Sequence, residues 1–277
     1  MAQAAQQQVE PRVVFNLYDD KLDLAEIQPG IQGNFWHGQS ISIAILRLQA
    51  GAVPCEQLHQ HADEHAVYCL GGEVEVTAAN GEQWQYGEGD ALILPGNSCY
   101  QLRALSDDLL LMFYFTSRQS QWGPEGGQLP AELFQGNPNA DASAQTTDDA
   151  QPRLYRPRTN NTEQITAKEQ LAAIPGTLEL SHIFGQNLSL GYFSMDKGSP
   201  YPAPHSHGEE IGMQLRGHCV LHSLGNDYVM AEGAIIIIPP GVEHSGTMAF
   251  DGRFGDDDCI MISIQTPPRY AWGPEQD

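Results

Sequence analysis

Residues 198–217 have the sequence GSPYPAPHSHGEEIGMQLRG. In this stretch, three side chains of types that commonly bind metal ions lie between glycines and prolines that are typical of turns. His205 and His207 are two residues apart, so on an extended strand both imidazoles point to the same face. Glu210 adds a carboxylate oxygen close to them. This stretch therefore predicts two nitrogen donors and one oxygen donor on one side of a strand.

GAIIIIPPGVEH, residues 233–244, supplies a fourth donor. An apolar run predicts a buried strand, and the Pro-Pro-Gly sequence after it predicts a turn. A strand that returns from this turn can bring the imidazole of His244 to the first three donors. We therefore predict that one divalent transition metal is bound by four residues of this region, namely His205, His207, Glu210 and His244.

Together the two stretches resemble the two motifs of the cupin superfamily, G(X)5HxH(X)3-4E(X)6G and G(X)5PxGxxH. The second motif matches at every position, which are Gly233, Pro239, Gly241 and His244. The first departs in two spacings, because six residues separate its first glycine from its first histidine and two separate His207 from Glu210. Glu209 is therefore an alternative ligand. Glu210 is preferred because six residues lie between it and Gly217, as in the motif.

The same pattern occurs earlier in the chain, which indicates an internal duplication. His59 and His61 precede the second pair of histidines by 146 residues, and the segment WGPE occurs twice, 150 residues apart. Short alternating strands that end at Gly, Pro, Asn and Asp predict all-β units. We therefore predict an N-terminal tail and first domain at residues 1–125, a linker at 126–153 and a second domain at 154–277.

The two copies differ in their candidate ligands. In the first copy His65 stands where the second has its glutamate, and Tyr100 stands at the position of the last histidine. The candidate ligands are therefore His59, His61 and His65, with Glu64 as an alternative. Three imidazoles can hold a divalent metal, but a phenol stays protonated near pH 7 unless a metal lowers its pKa of about 10. Loss of the first metal site, with the barrel kept for packing, is the other interpretation.

Two short segments narrow the resemblance from the cupin superfamily to one group within it. They are EIGM at residues 210–213 and PPRY at residues 267–270. Two cupin repeats with these segments resemble the metal-dependent bicupin isomerases of bacilysin and aeruginosin biosynthesis. The resemblance implies two tandem cupin barrels, each a double-stranded β-helix or jelly roll, and a homodimer paired through its sheets. The acidic linker and Tyr100 depart from the bacilysin enzyme and favour the aeruginosin type.

This resemblance implies an allylic isomerisation of a dihydro-4-hydroxyphenylpyruvate-type α-keto acid, in which a double bond moves and no electrons leave the substrate. The keto acid would chelate the metal (Fe, Co, Ni, Mn or Zn) through its carboxylate and ketone oxygens, and the metal would act as a Lewis acid. Tyr270 would move the proton, and Arg269 would bind the carboxylate or stabilise charge. Gln214 and Arg216 share strand parity with Glu210, so both are candidates to line the substrate cavity.

Two other functions fit the same residues. Three histidines and one glutamate in a cupin also suit Fe(II), so a dioxygenase is the first alternative. A bicupin that binds a small acid without converting it is the second. Oxygen consumption during turnover favours the dioxygenase, and binding without conversion favours the binding protein.

Composition excludes several partners. The chain of 277 residues has 13 Lys and Arg against 35 Asp and Glu, a formal net charge of −22. Such a charge repels nucleic acids and anionic membrane surfaces, so neither is an expected partner.

Residues 1–12 lack the apolar core of a signal peptide, and the longest apolar run, 234–238, is too short to span a bilayer. The five cysteines form no CxxC pair, so we expect reduced thiols in a cytoplasmic protein.

Overall fold

The computed structural model describes residues 10–18, 24–54, 58–116, 125, 152–155, 177–196, 204–248 and 258–268. In this part of the chain the regular elements are all strands, which confirms the predicted all-β class. None of the described residues belongs to a helix long and apolar enough to cross a membrane.

Twenty strands are described. The N-terminal half has β1 (Arg12–Asn16), β2 (Ala25–Gln28), β3 (Ile31–His37), β4 (Ser42–Leu48), β5 (His59–Gln60), β6 (His65–Gly71), β7 (Glu73–Ala78), β8 (Gln83–Gly87), β9 (Ala91–Leu94), β10 (Cys99–Ala104), β11 (Leu109–Phe115) and β12 (Arg153–Tyr155). The C-terminal half has β13 (Thr177–Phe184), β14 (Ser189–Asp196), β15 (Glu209–Arg216), β16 (Cys219–Ser223), β17 (Asn226–Met230), β18 (Ala234–Ile238), β19 (His244–Met248) and β20 (Asp258–Thr266).

The first of two compact units, here called the first barrel, contains β2 to β12 and the turn at Ser181–Leu190. Its sheets have the strand orders β12-β9-β6-β11-β4-β3-β2 and β5-β10-β7-β8. β7 shows why the chain forms strands here, because Val74, Val76 and Ala78 are fully buried while the residues between them are not. Such alternation builds a core that includes Phe35, Leu46, Val67, Leu92 and Leu111.

The other unit, here called the second barrel, contains β1 and β15 to β20, with most of β14 and the start of β13. Its sheets have the orders β1-β18-β15-β20-β14-β13 and β17-β16-β19. All five residues of β18 are buried, as expected for the predicted apolar strand. After β18, Gly241 has a φ of 74°, a conformation that favours glycine, so the predicted turn before β19 is present.

β1 adds an N-terminal strand to the second barrel, although the sequence analysis grouped it with the first domain. It pairs antiparallel with β18, from Arg12 opposite Ile237 to Asn16 opposite Ala234. Beyond β1, the amide N–H of Leu17 donates a 2.8 Å hydrogen bond to the carbonyl oxygen of Gly233. The predicted linker lies almost wholly outside the described residues, so the predicted domain limits stay a prediction.

Candidate metal centre

The ligand candidates of the second barrel lie around the start of β15 and the start of β19. His205 and His244 form an isolated antiparallel bridge, and each N–H donates to the carbonyl oxygen of the other at 3.0 and 2.9 Å. His207 is two residues further on, so its side chain returns to the same face. Glu210 is the second residue of β15. The turn after β18 therefore brings the last ligand candidate to the first three, as predicted.

The four side chains converge in a buried position. The ligand nitrogens of His205, His207 and His244 all lie within 4.8 Å of one another. Oε2 of Glu210 lies 2.8 Å from Nε2 of His207 and 3.8 Å from Nε2 of His244. All four residues are more than nine-tenths buried. The structure thus brings together all four predicted ligands of this barrel.

Hydrogen bonds from the opposite ring nitrogens fix two of these imidazoles. Nδ1 of His207 lies 2.8 Å from the carbonyl oxygen of Gly208, and Nδ1 of His244 lies 3.0 Å from that of Val242. Because a carbonyl only accepts, both Nδ1 atoms must carry the proton. In the neutral rings Nε2 then presents its lone pair to the carboxylate of Glu210. This is the usual arrangement of metal-binding histidines, whose other nitrogen is held by a carbonyl or carboxylate.

These donors fit a divalent transition metal. Nε2 of His207 is buried and, among the described residues, has no well-aligned hydrogen-bond partner, although a carboxylate oxygen is 2.8 Å away. Burial by itself would raise the pKa of Glu210, but when the rings of His207 and His244 are protonated, their contact and positive charge hold it well below its usual range. With both rings neutral, an ionised carboxylate that faces imidazole lone pairs is stabilised by a cation between them, which is either a proton on Nε2 or a metal ion. Of these two, a metal ion engages all four donors.

Two residues of β20, not found by the sequence analysis, hold Glu210 in place. Gln265 lies directly opposite Glu210 in the ladder between β15 and β20, and its Nε2 donates a 3.1 Å hydrogen bond to Oε2 of the carboxylate. The same Nε2 lies 3.3 Å from Oγ of Ser263. Both residues interrupt the apolar sequence of β20 at alternate positions. That pattern of two polar residues on one face of a buried strand was visible in the sequence.

Gln214 and Arg216, predicted to line the substrate cavity, do not face the ligands. At about 3.3 Å of rise per residue, they lie roughly 13 and 20 Å along β15 from Glu210. Gln214 is buried, and its Nε2 donates to the carbonyl oxygens of Arg216 and Ile260 at 2.6 and 3.1 Å. Arg216 is exposed, because a β-bulge between the two residues shifts the register. Gln214 therefore has a structural role, and Arg216 faces solvent.

The first barrel places the equivalent residues in the same topology but with different chemistry. Tyr100 is the backbone partner of His59, as His244 is of His205. The hydroxyl of Tyr100 lies 3.4 Å from Nδ1 of His65, and the ring centroids of His61 and His65 are 4.6 Å apart. The side chain of His59 lies outside the described part, so binding of metal by the three histidines stays a prediction.

Glu64, the alternative ligand in the first barrel, has another partner. Its Oε2 accepts hydrogen bonds from the amide N–H groups of Gln186 and Asn187 at 2.8 and 3.0 Å. A Cβ atom on Gly185 would overlap the Glu64 carboxylate, so the close approach requires glycine there. The carboxylate therefore holds a turn of the same compact unit.

Arg269 and Tyr270, the predicted catalytic residues, lie outside the described residues. The chain before them is described as far as Pro268. Thr266 is the backbone partner of Glu209 at the start of β15, beside the ligand residues. A Cβ atom on Gly208 would collide with the carbonyl oxygen of Thr266 and with Cδ of Pro267. The segment PPRY therefore begins against the loop that carries His207.

Comparison with known proteins agrees with two similar barrels. Residues 44–116 match the cupin domain family, and residues 189–255 match the AraC-like ligand binding domain family. No curated protein matches the sequence. Two solved structures of Bacillus subtilis oxalate decarboxylase, one concerned with its Mn(II) centres and one determined at pH 4.6, each align with a TM-score of 0.62 and 15% identity. Each alignment covers 95% of this chain and 78% of the decarboxylase, so the likeness shows the fold.

Proposed function

We propose that this chain is a bicupin of the cupin superfamily and that its second barrel is the active site of a metal-dependent isomerase. The proposed substrate is a dihydro-4-hydroxyphenylpyruvate-type α-keto acid of aeruginosin- or bacilysin-like peptide biosynthesis. The observation that supports it most is the convergence of His205, His207 and His244 on the buried carboxylate of Glu210. A donor set with one negative charge leaves a divalent metal a net charge of +1, which favours an anionic chelating substrate.

A divalent metal held by these four residues would supply Lewis acidity to the keto acid. The protein supplies the rest of the chemistry. Glu210 and the imidazoles would fix the position of the ion, and their burial would limit the access of bulk water to it. One C–H proton leaves the substrate, the double bond shifts, and a proton returns at another carbon, so no oxidant or reductant is required.

Tyr270 is the proposed group that moves this proton, and Arg269 the proposed partner of the substrate carboxylate. Support comes from the chain that precedes them, because Pro267 lies against Gly208 in the ligand loop. Tyr270 follows Pro268 by two residues, and two residues of chain span at most about 7 Å. A phenol in that range can exchange a proton with a substrate chelated at the metal. The planar guanidinium of Arg269 suits a carboxylate because it donates two parallel hydrogen bonds.

Which metal ion the site binds depends on the chemistry of the ligands and on the supply of ions in the cell. Imidazole-rich sites accept several first-row ions, and selection in the cell depends on geometry and availability. Mn(II) centres are present in the structurally similar oxalate decarboxylase. We include Mn(II) with Fe(II), Co(II), Ni(II) and Zn(II) among the ions to test.

The test is an anaerobic ultraviolet time course with freshly prepared dihydro-4-hydroxyphenylpyruvate and protein of measured metal content. We expect a metal-dependent absorbance change in the wild type, its loss in His244→Ala, and its retention in His222→Ala. His222 is a matched control because its neighbour Ser223 is the ladder partner of His244, so the His222 side chain points to the opposite face of β16, where it is bonded to Asp227 at 2.6 Å and to Thr247 at 2.8 Å. Turnover only with oxygen present would replace the isomerase by a dioxygenase. Binding of the keto acid without conversion would leave a binding protein.

A further inference from the structure

The side-chain amide of Gln265 is locked in one orientation at the metal centre. Its nitrogen has two hydrogens and two acceptors, Oε2 of Glu210 at 3.1 Å and Oγ of Ser263 at 3.3 Å. Only Nε2 can donate to an ionised carboxylate, so the positions of nitrogen and oxygen in the amide are fixed by chemistry. The amide oxygen must then point away from both of these partners.

That oxygen has no partner in the described part of the protein. Gln265 is 2% exposed, and its Oε1 is a buried atom without a hydrogen bond. Leaving a buried acceptor unsatisfied forfeits its hydrogen bonds to water without replacing them, so native proteins rarely keep one without a ligand or water that donates to it. Gln265 and Glu210 are directly opposite each other on neighbouring strands, so both side chains point to the interior face that carries the metal ligands.

The first barrel shows which residues occupy the positions of Gln265 and Ser263 when the residue at the position of Glu210 is not a glutamate. His65 occupies the place of Glu210, and its ladder partner on β11 is Phe115, as Gln265 is the partner on β20. Phe113 stands two residues before Phe115, where the second barrel has Ser263. The two phenylalanine rings stack with centroids 6.1 Å apart. The fold therefore accepts apolar residues at both positions, and the polar pair accompanies the glutamate.

We propose that Gln265 is a positioning residue of the second barrel that holds Glu210 with its amide nitrogen and offers its amide oxygen to an O–H donor of the bound ligand. The donor is either a water bound to the metal or a hydroxyl group of the substrate. This inference rests on the proposed metal centre but does not require that the enzyme be an isomerase. A ligand with an O–H near the metal gains a hydrogen bond that a ligand without one cannot form.

The experiment compares wild type, Gln265→Leu and Ser263→Ala, with Gln214→Leu as the matched control. Gln214 is another buried glutamine, but it is bonded to main-chain carbonyls far along β15. Co(II) affinity is measured without substrate, by titration against a chelator. We expect Gln265→Leu to weaken it by about 10- to 100-fold, the usual effect of removing a group that orients a ligand. Ser263→Ala leaves the bond from Gln265 to Glu210 in place but removes the hydroxyl's own hydrogen bond to that carboxylate, so it should lose a few-fold, less than Gln265→Leu. Gln214→Leu should keep wild-type affinity.

Two probes identify the donor. Binding of phenylpyruvate and of 4-hydroxyphenylpyruvate to the Co(II)-loaded proteins is measured for wild type and Gln265→Leu. A loss confined to 4-hydroxyphenylpyruvate assigns the donor to a substrate hydroxyl, and an equal loss for both acids assigns it to metal-bound water. Wild-type affinity of Gln265→Leu for Co(II) and for both acids overturns the proposal. If Gln265→Leu does not fold, wild-type Co(II) affinity in a folded Gln265→Asn, whose shorter amide cannot reach Glu210, overturns it.

The outcome is separable from that of the proposed reaction. Co(II) binding and acid binding need no turnover, so they test Gln265 even if the keto acid is not isomerised. An inactive protein that binds Co(II) and loses it in Gln265→Leu would reject the isomerase and keep this inference. Failure of the wild type to bind Co(II) would reject both.

Discussion

Metal binding should stabilise the folded protein, and the effect should depend on His244. Oε2 of Glu210 lies 2.8 Å from Nε2 of His207, and the proton on Nδ1 of that ring is donated to the carbonyl oxygen of Gly208, so the Nε2 lone pair can bind a metal. An ion that binds only the folded state at 100 times its dissociation constant adds about 2.7 kcal/mol. For a chain of this size each kcal/mol raises the melting temperature by about 2–4 °C, which predicts a rise of roughly 5–11 °C.

The assay is differential scanning calorimetry of chelator-treated protein with and without added Mn(II), Co(II) or Zn(II). Wild type and His222→Ala should show the rise, and His244→Ala should not, because it keeps the fold but loses one of three imidazoles. Two results would refute the reasoning. One is a wild-type melting temperature that no divalent metal changes, and the other is an equal rise in His244→Ala.

Four further predictions follow from the same contacts. Tyr270→Phe should lower turnover by about 10²- to 10⁴-fold with unchanged Co(II) affinity, and a wild-type rate would remove its proton-transfer role. Elemental analysis should find one bound metal ion per chain, held by the second barrel. His61→Ala, which removes a candidate ligand of the first barrel, should have the same metal content. Gly185→Ala should lower the free energy of unfolding in urea by about 1–3 kcal/mol, because its Cβ meets a buried carboxylate. Burial raises the pKa of Cys69 to about 12 and of Cys259 to about 11 from the ordinary 9.0. These thiols should therefore leave the urea unfolding midpoint unchanged up to about pH 9 and lower it above that pH, because the unfolded state loses their protons first.

The ligand set of the second barrel could be predicted because it depends on local rules. Two histidines separated by one residue share a face of any extended strand, wherever that strand packs. The turn that returns His244 was marked by Pro239 and Gly241, and the latter has the positive φ that such a turn requires. The repeat predicted a duplicated all-β fold, because each copy had the same order of glycines, prolines and histidines.

The failures came from packing between residues distant in sequence. Gln214 and Arg216 were expected to line the cavity because alternate residues of a strand share the face of Glu210. Sharing a face does not fix the distance along the strand, and a β-bulge breaks the alternation. Pairing of β1 with β18 joins residues more than 200 positions apart, which no local pattern encodes. Gln265 could be recognised only after the ladder placed it opposite Glu210.

The two barrels share one topology but differ in the residues at the positions of the candidate ligands. A buried carboxylate with its polar partners is costly unless a cation compensates it. Where His65 replaces that carboxylate, its ring meets Phe115 edge to face at 4.3 Å, and Phe113 stacks on Phe115. Tyr100 completes the change by putting a phenol at the position of the last imidazole. These substitutions remove the negative charge and its supports together, so we expect the second barrel to bind a divalent metal more tightly than the three histidines of the first.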